Sequence, residues 1–224
     1  MNNYSRDDLQ YEGFYYYQPQ NGYRSSEDAL ILQNCILEKI GYKFEGEAVE
    51  LGTGSGLISI LLALKIKQIK INAIEIQKSL FKLARKNIIH CELGNKIKII
   101  QADLRNIQNE LESNRYDLCF ANPPFFKRKE GKLNPNRQKQ VARHEILCDM
   151  GDILSAFSYL LKTNKSGFLI YPLSRLSEFK NLLKSFKHLN LKDLRYFKNA
   201  RHEIDVLLDG TTSKLSFCSE IEKV

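Results

Sequence analysis

The sequence lacks the features that mark membrane, secreted and zinc-binding proteins. No apolar run approaches the length of a membrane span, and the polar opening Met-Asn-Asn predicts that no secretory signal is present. The five cysteines are scattered, without Cys-x-x-Cys pairs or a histidine spacing, so neither a zinc site nor a disulfide framework is indicated. We therefore expect a protein of the reducing cytoplasm with no metal site and no membrane partner.

The length and composition indicate one ordinary folded domain. The chain has 224 residues, 43% of them apolar and 27% charged, which is enough to bury a core without disulfides. We treat residues 1–224 as a single domain, with 1–37 as an N-terminal segment that covers a cofactor site, and favour a monomer. The net charge of +8 suggests a polyanionic partner, although a lysine-rich genome would produce the same excess.

The stretch Ala48–Gly56 has the pattern of a ligand-binding turn, because an apolar run ends in Glu50 and breaks into alternating glycines. Glycine allows positive φ and a close approach of a ligand to the backbone. The helix Leu57–Leu64 is expected to follow. The predicted cofactor contacts in this turn are Glu50, Leu51, Gly52, Thr53, Gly54 and Gly56.

The glycine spacing favours S-adenosylmethionine over a dinucleotide. The dinucleotide pattern Gly-x-Gly-x-x-Gly places its third glycine one residue later than Gly56. An acid in the turn, Glu50, would repel a phosphate but attract the cationic amino group of a methionyl moiety. A tight turn without a ligand remains the alternative for this motif taken alone.

A second motif follows the strand predicted over Tyr116–Ala121, where the chain continues Asn122-Pro123-Pro124-Phe125. It resembles the motif of methyltransferases that modify adenine N6, cytosine N4 or a glutamine amide. The lone pair of such an amine is delocalised, and the Asn122 amide oxygen and Pro123 carbonyl can each accept one amine hydrogen. Proline stiffens the loop, and Phe125 would stack on the base.

Further acids follow the next predicted strands. Glu75 ends the strand Lys70–Ile76 and can accept both ribose hydroxyls, while Ile76 would lie against the adenine. Asp103, followed by Leu104, ends the strand Lys96–Gln101 and can accept from the adenine amino group, although a helix N-cap explains it equally well. Because parallel strands deliver their carboxyl ends to one crevice, we expect these acids and Glu50 to converge.

A basic segment follows the Asn-Pro-Pro-Phe motif and favours nucleic acid as the substrate. Its predicted RNA contacts are Phe126, Lys127, Arg128, Lys129, Arg137, Arg143 and His144. His144 is interpreted as a structural hydrogen bonder rather than a catalyst, because a methylated amine is acidic enough to lose its proton to water.

The order of the predicted elements indicates an α/β fold. Helices are expected over Lys78–Ile89, Asp149–Leu161 and Arg175–Phe186, and a fifth strand over Gly167–Pro172. Two final strands, Leu191–Phe197 and Glu203–Asp209, are joined by too short a turn for a parallel crossover and must pair antiparallel. This pattern is typical of the class I methyltransferase, Rossmann-like fold: a seven-stranded, mostly parallel sheet with an antiparallel C-terminal hairpin, here with a short N-terminal extension.

The N-terminal part reads as extended chain over Phe14–Gln18, a turn at Pro19–Gly22 and then a helix. The run from Gln18 to Leu30 also looks like the segment that lies over the cofactor in amino-group methyltransferases. That resemblance implies that Tyr23, Arg24 and Asp28 lie near the methionine end of the cofactor.

Four stretches together resemble the bacterial tRNA(Val) adenine N6-methyltransferase family: Gln-Asn-Gly-Tyr-Arg, Asn-Pro-Pro-Phe-Phe, Ala-Arg-His-Glu-Ile and Val-Leu-Leu-Asp-Gly. The resemblance implies S-adenosylmethionine as cofactor, tRNA as partner and methylation of the adenosine just 3′ of the anticodon. The chain departs from the family in having Phe125 where tyrosine is more usual, and a short tail after Gly210.

Three other functions remain open from the sequence. A glutamine-amide methyltransferase shares the four-residue motif but usually carries an extra N-terminal domain. A DNA or ribosomal RNA adenine methyltransferase would use the same chemistry. A nucleic-acid-binding module that has kept the fold would lack activity, although the intact glycines and Asn122 speak against it.

Overall fold

The computed structural model describes residues 4–11, 13–21, 24–25, 27–123, 148–198 and 204–210. Within them, an N-terminal hairpin precedes an alternation of strands and helices. The strands are β1 (Tyr4–Tyr11), β2 (Phe14–Pro19), β3 (Glu45–Leu51), β4 (Gln68–Ile74), β5 (Ile97–Ile100), β6 (Tyr116–Ala121), β7 (Leu161–Pro172), β8 (Leu191–Lys198) and β9 (Ile204–Gly210). The helices are α1 (Glu27–Ile40), α2 (Leu57–Lys65), α3 (Lys78–His90), α4 (Met150–Leu160) and α5 (Leu176–Leu183), with short 3-10 helices at Leu104–Asn109 and Leu173–Arg175.

The sheet has seven strands in the order β5-β4-β3-β6-β7-β9-β8. β3 to β7 run parallel, whereas β9 lies between β7 and β8 and is antiparallel to both. The predicted seven-stranded sheet with an antiparallel pair at its end is confirmed. The strand order reverses at β3, because the chain moves outward to β5 and then returns to β6 on the other side of β3.

Alternating apolar side chains cover the sheet on both faces. In β6, Leu118 and Phe120 pack in the cluster that includes α1 and α2, while Cys119 and Ala121 pack in the cluster that includes α4. All four are fully buried. A parallel sheet needs this two-sided burial, since its crossover helices lie on both faces.

The N-terminal hairpin packs on the α1–α2 side of the sheet. β1 pairs antiparallel with β2, and Tyr16 of β2 is buried in the same cluster as α1 and α2. The sequence indicated only the extended stretch Phe14–Gln18, because β1 reads Tyr-Ser-Arg-Asp-Asp-Leu-Gln-Tyr and has too few apolar residues to predict a strand.

Several predicted bounds differ from the structure. β4 ends at Ile74, so Glu75 and Ile76 lie just beyond the strand. β7 begins at Leu161 rather than Gly167, since its first half is polar and contains Asn164 at φ 63°, which reads as a turn. The helix predicted over Arg175–Phe186 is a 3-10 turn followed by α5, which ends at Leu183.

Candidate active site

The carboxyl ends of three neighbouring strands lie at one level. Leu51 of β3 is in register with Ile74 of β4 and with Ala121 of β6. The residues that follow them, Gly52, Glu75 and Asn122, therefore begin the loops of a single crevice. It lies where the strand order reverses, which is the place where open α/β sheets bind ligands.

The glycine turn has the left-handed backbone that its sequence predicted. Gly52, Gly54 and Gly56 have φ of 73°, 62° and 92°. The backbone N–H groups of Gly52 and Thr53 both donate to the Ile74 carbonyl at 2.9 Å, which ties the turn to the end of β4. A Cβ built on Gly52 meets no atom of the described residues within 4 Å, so this side of the turn is open to a ligand.

Glu50 lies beneath the turn, with only 1% of its surface exposed. Its carboxylate accepts a hydrogen bond from the Thr53 hydroxyl at 2.6 Å and a second from the Ser59 hydroxyl on α2. Burial outweighs these bonds and raises the pKa of Glu50 to about 7. The carboxylate is thus hydrogen-bonded to side chains of its own chain. When ionised, it would attract a cationic ligand in the turn electrostatically and not by a direct hydrogen bond.

Glu75 faces the same turn from the end of β4. Its carboxylate accepts from the Gly54 backbone N–H at 2.9 Å and from the Gln77 N–H at 2.7 Å. Only 4% of the residue is exposed, and burial raises its pKa to about 7. A carboxylate held by backbone donors at a strand end has the chemistry to accept ribose hydroxyls.

The residues around the crevice suit S-adenosylmethionine better than a pyrophosphate. The turn offers an open glycine backbone, but two buried carboxylates, Glu50 and Glu75, lie beside it. Ser55, 1% exposed, adds a buried hydroxyl that has no hydrogen-bond partner among the described residues. Each of these carboxylates repels phosphate when it is ionised, whereas carboxyl oxygens can accept hydrogen bonds from an amino group or ribose hydroxyls.

Asn122 and Pro123 follow β6 at the other side of the glycine turn. Asn122 is half-buried and Pro123 is buried. Pro124, Phe125, Phe126 and the predicted RNA contacts Lys127, Arg128, Lys129, Arg137, Arg143 and His144 lie outside the described residues, as does Tyr23.

Two predicted cofactor contacts, Asp103 and Arg24, are bonded to other residues of the chain, and a third, Asp28, is buried. Asp103 caps the 3-10 helix by accepting from the Arg105 backbone N–H at 3.0 Å. The Arg105 guanidinium also donates to this carboxylate, and its hydrogen bond is the main reason that the pKa of Asp103 is lowered. Arg24 donates to Asp7 of the hairpin at 2.6 Å. Asp28 is buried in the first turn of α1.

The apolar members of the predicted set line their loops. Leu51 is fully buried in the core, so only its backbone could face a ligand. Ile76 and Leu104 are half-buried. Leu104 packs against the cluster that includes α4.

One residue beside the crevice was missed from the sequence. Asn87 of α3 is fully buried. Its amide accepts from the Tyr17 N–H at 2.8 Å and donates at 2.9 Å to the carbonyls of Tyr17 and of Ser55 in the glycine turn. The signal was a polar residue within the apolar stripe of α3, at the spacing of Leu80, Leu83, Ala84 and Ile88.

Two structural absences hold for the described part of the chain. No group of three or more His, Cys, Asp or Glu side chains there could hold a metal ion. No helix there is long and apolar enough to span a membrane.

A family model described as "Methyltransferase small domain" matches residues 29–154. The match includes the glycine turn, Glu75, Asp103 and Asn122.

Curated relatives carry the name tRNA1(Val) (adenine(37)-N6)-methyltransferase. The protein of Porphyromonas gingivalis strain W83 is 29% identical over 159 residues, which are 70% of this chain and 62% of the relative. That of Histophilus somni is 29% identical over 177 residues, covering 79% of this chain and 72% of the relative. The chain thus spans about 62% of the length of the P. gingivalis relative that it matches.

Solved structures share the fold at low sequence identity. Methanocaldococcus jannaschii Trm5 in complex with adenosine has a TM-score of 0.67 at 16% identity, over 95% of this chain and 57% of that one. M. jannaschii TYW2 in complex with AdoMet has a TM-score of 0.63 at 16% identity, over 93% of this chain and 85% of that one. The fold is that of the class I methyltransferases.

Proposed function

This chain belongs to the methyltransferase small domain family, and from that premise we propose that it is an S-adenosylmethionine-dependent methyltransferase. Its substrate is N6 of an adenosine in tRNA, and the adenosine at position 37 of tRNA1(Val) is the target that the names of its relatives support. We also propose a cytoplasmic location, where tRNA is modified.

One observation carries the proposal: the register that starts Gly52, Glu75 and Asn122 at a common level of the sheet. The glycine turn and the Glu75 carboxylate lie on one side of the crevice, and the Asn122 amide lies on the other. Methyl transfer to an amine requires both a site for the methyl donor and a site for the amine. The cofactor would supply an electrophilic methyl group.

The chain's own residues would divide the work as follows. The open backbone at Gly52 and the Glu75 carboxylate would hold the cofactor. The Asn122 side-chain oxygen and Pro123 carbonyl would accept the two amine hydrogens and localise the nitrogen lone pair. A base is not needed to start the reaction, because the nitrogen loses its proton readily once it is methylated.

The decisive variant is Asn122→Ala, with Asn34→Ala on the exposed face of α1 as the matched control. We expect Asn122→Ala to bind S-adenosylmethionine like the wild type in calorimetry but to lose tRNA methylation by about 100-fold or more, as for other directional hydrogen-bond groups in active sites. Asn34→Ala should retain both. Near-normal turnover by Asn122→Ala would disprove the proposed hydrogen bond from the adenine amine to Asn122.

The substrate class is tested with the wild-type protein and labelled cofactor. Bulk tRNA, ribosomal RNA, DNA and a peptide release factor are incubated separately, and label is expected in the tRNA. Label in DNA or ribosomal RNA would keep the adenine chemistry and change the polymer, whereas label in the release factor would identify a glutamine-amide enzyme. Failure to bind the cofactor would identify a binding module without activity.

A further inference from the structure

The outward face of α3 is a continuous cationic surface. Lys78, Lys82, Arg85 and Lys86 are all exposed on it, and the helix contains no Asp or Glu. The opposite face carries the apolar residues that pack into the core. At 1.5 Å per residue, the charged residues of α3 extend over about 12 Å, from Lys78 to Lys86.

The N-terminal hairpin extends the surface with cations held against tyrosine rings. The Arg6 guanidinium lies 3.2 Å above the ring of Tyr15, and the Lys86 ammonium lies 3.6 Å above the ring of Tyr17. Cation–π contacts orient a positive charge without neutralising it. The acid on this face of the hairpin, Asp8, lies beside Tyr15 at the end away from Tyr4.

The charges of this surface differ from those elsewhere on the described chain, where arginines are generally neutralised. Arg24 pairs with Asp7, Arg115 with Glu47, and Arg195 with Glu38. By contrast, no carboxylate among the described residues forms a salt bridge with the α3 cations or with Arg6. These charges are therefore available to an anionic partner.

One end of this surface meets the crevice. α3 begins directly after Glu75 and Gln77, so Lys78 lies at the same edge of the sheet as the glycine turn. The hairpin is fixed to that turn as well, since the Asn87 amide bonds both the Tyr17 backbone and the Ser55 carbonyl. A polymer whose reacting nucleotide lies in the crevice can thus continue along α3.

We propose that the outer face of α3 and the adjoining face of the hairpin, from Tyr4 and Arg6 to Tyr15 and Tyr17, bind the phosphates of the RNA substrate outside its reacting nucleotide. This inference rests on the proposed function and adds a substrate-binding surface to it. The contacts are to phosphate and carry affinity without base specificity.

The test compares two triple variants with the same loss of charge. The first, Lys82→Ala with Arg85→Ala and Lys86→Ala, removes cations from α3. The control, Lys43→Ala with Lys67→Ala and Lys184→Ala, removes exposed lysines near the opposite end of the sheet. For each protein, tRNA methylation is measured against tRNA concentration and salt, and S-adenosylmethionine binding is measured by calorimetry.

We expect the α3 variant to raise the KM for tRNA by about 10-fold or more, with the cofactor Kd and the rate at saturating tRNA unchanged. Its dependence of log affinity on log salt should be shallower by about 2, because each lost phosphate contact removes roughly 0.7 to 0.9 from the slope. The control should change the KM far less.

Equal effects of the two triple variants would overturn the inference, because net charge alone would then account for the loss. An unchanged KM in the α3 variant would overturn it too, while leaving the proposed function intact. Failure of the wild-type protein to methylate any tRNA would instead refute the proposed function.

Discussion

The buried carboxyl group of Glu50 makes the stability of this protein depend on pH in a direction opposite to that of most acidic residues. Its pKa is raised from an ordinary 4.5 to about 7 because burial disfavours its charge. Between these values the folded state holds a proton that the unfolded state has released, so the free energy of unfolding falls as pH rises. At about 1.4 kcal/mol per pH unit, Glu50 alone removes on the order of 3 kcal/mol between pH 4.5 and 7.

The perturbation is Glu50→Gln, which keeps the shape of the side chain and cannot ionise. The Thr53 and Ser59 hydroxyls, which donate to Glu50 in the wild type, can rotate to accept from the new amide. Urea unfolding without cofactor at pH 5 and pH 8 gives the drop in stability for each protein. We expect the drop to be smaller in Glu50→Gln than in the wild type by up to about 3 kcal/mol.

Glu45→Gln serves as the matched control, because Glu45 is an exposed acid on the same strand. Glu75, whose pKa is also raised to about 7, titrates in the same pH range in the wild type and in both variants, so its contribution largely cancels when the proteins are compared. Salt bridges to Arg115 and Arg105 lower the pKa values of Glu47 and Asp103, so the stability that they contribute is lost only below the ordinary carboxyl range. Parallel pH profiles for wild type and Glu50→Gln would refute the reasoning, since they would mean that Glu50 is already ionised in the folded protein at pH 5.

Three further variants test the crevice. Gly56→Ala should lower the free energy of unfolding in urea by about 1 to 2 kcal/mol, because φ is 92° and the new Cβ would lie 3.4 Å from the Ile60 side chain. Gly94→Ala is the control, because a Cβ there meets no described atom within 4 Å. Equal losses of stability in the two variants would contradict the proposed strain at Gly56. Glu75→Gln should weaken cofactor binding by about 10-fold to 100-fold in calorimetry, because a hydrogen bond to a charged acceptor is lost. An unchanged Kd would show that Glu75 does not bind the ribose hydroxyls. Asn87→Ala should destabilise the fold by about 2 kcal/mol or more, because it leaves buried backbone groups of Tyr17 and Ser55 without hydrogen-bond partners. Hydrogen exchange at the Tyr17 amide should become faster. An unchanged exchange rate there would show that the bond to Asn87 is unimportant.

The sequence predicted the structure correctly where a single local pattern, an apolar run or the helical period, was sufficient. The strand Tyr116–Ala121 was predicted to the residue, because an apolar run that is broken only by Asp117 stops at Asn122. The inward side chains of α3 were correct for the same reason, since Leu80, Leu83, Ala84 and Ile88 repeat with the helical period.

The contacts that connect distant segments could not be read from these patterns. Asn87 bonds to Tyr17 across 70 residues of sequence, and neither local stretch specifies the other. Asp103 illustrates a different difficulty: an acid at a strand end suits both a ligand and a helix cap, and the structure engages it as the cap. Local patterns predict elements, whereas the pairing of polar side chains depends on how the elements assemble.

The position of β9 affects the order in which the sheet can form while the chain is being synthesised. β9 lies between β7 and β8 and provides the neighbour through which β8 joins the sheet, yet it is the last strand described. During synthesis, β7 therefore keeps an open edge and β8 stays detached until residues 204–210 have left the ribosome. An exposed edge of this kind invites pairing with other chains, so a product truncated before Ile204 should aggregate rather than lose only a peripheral strand.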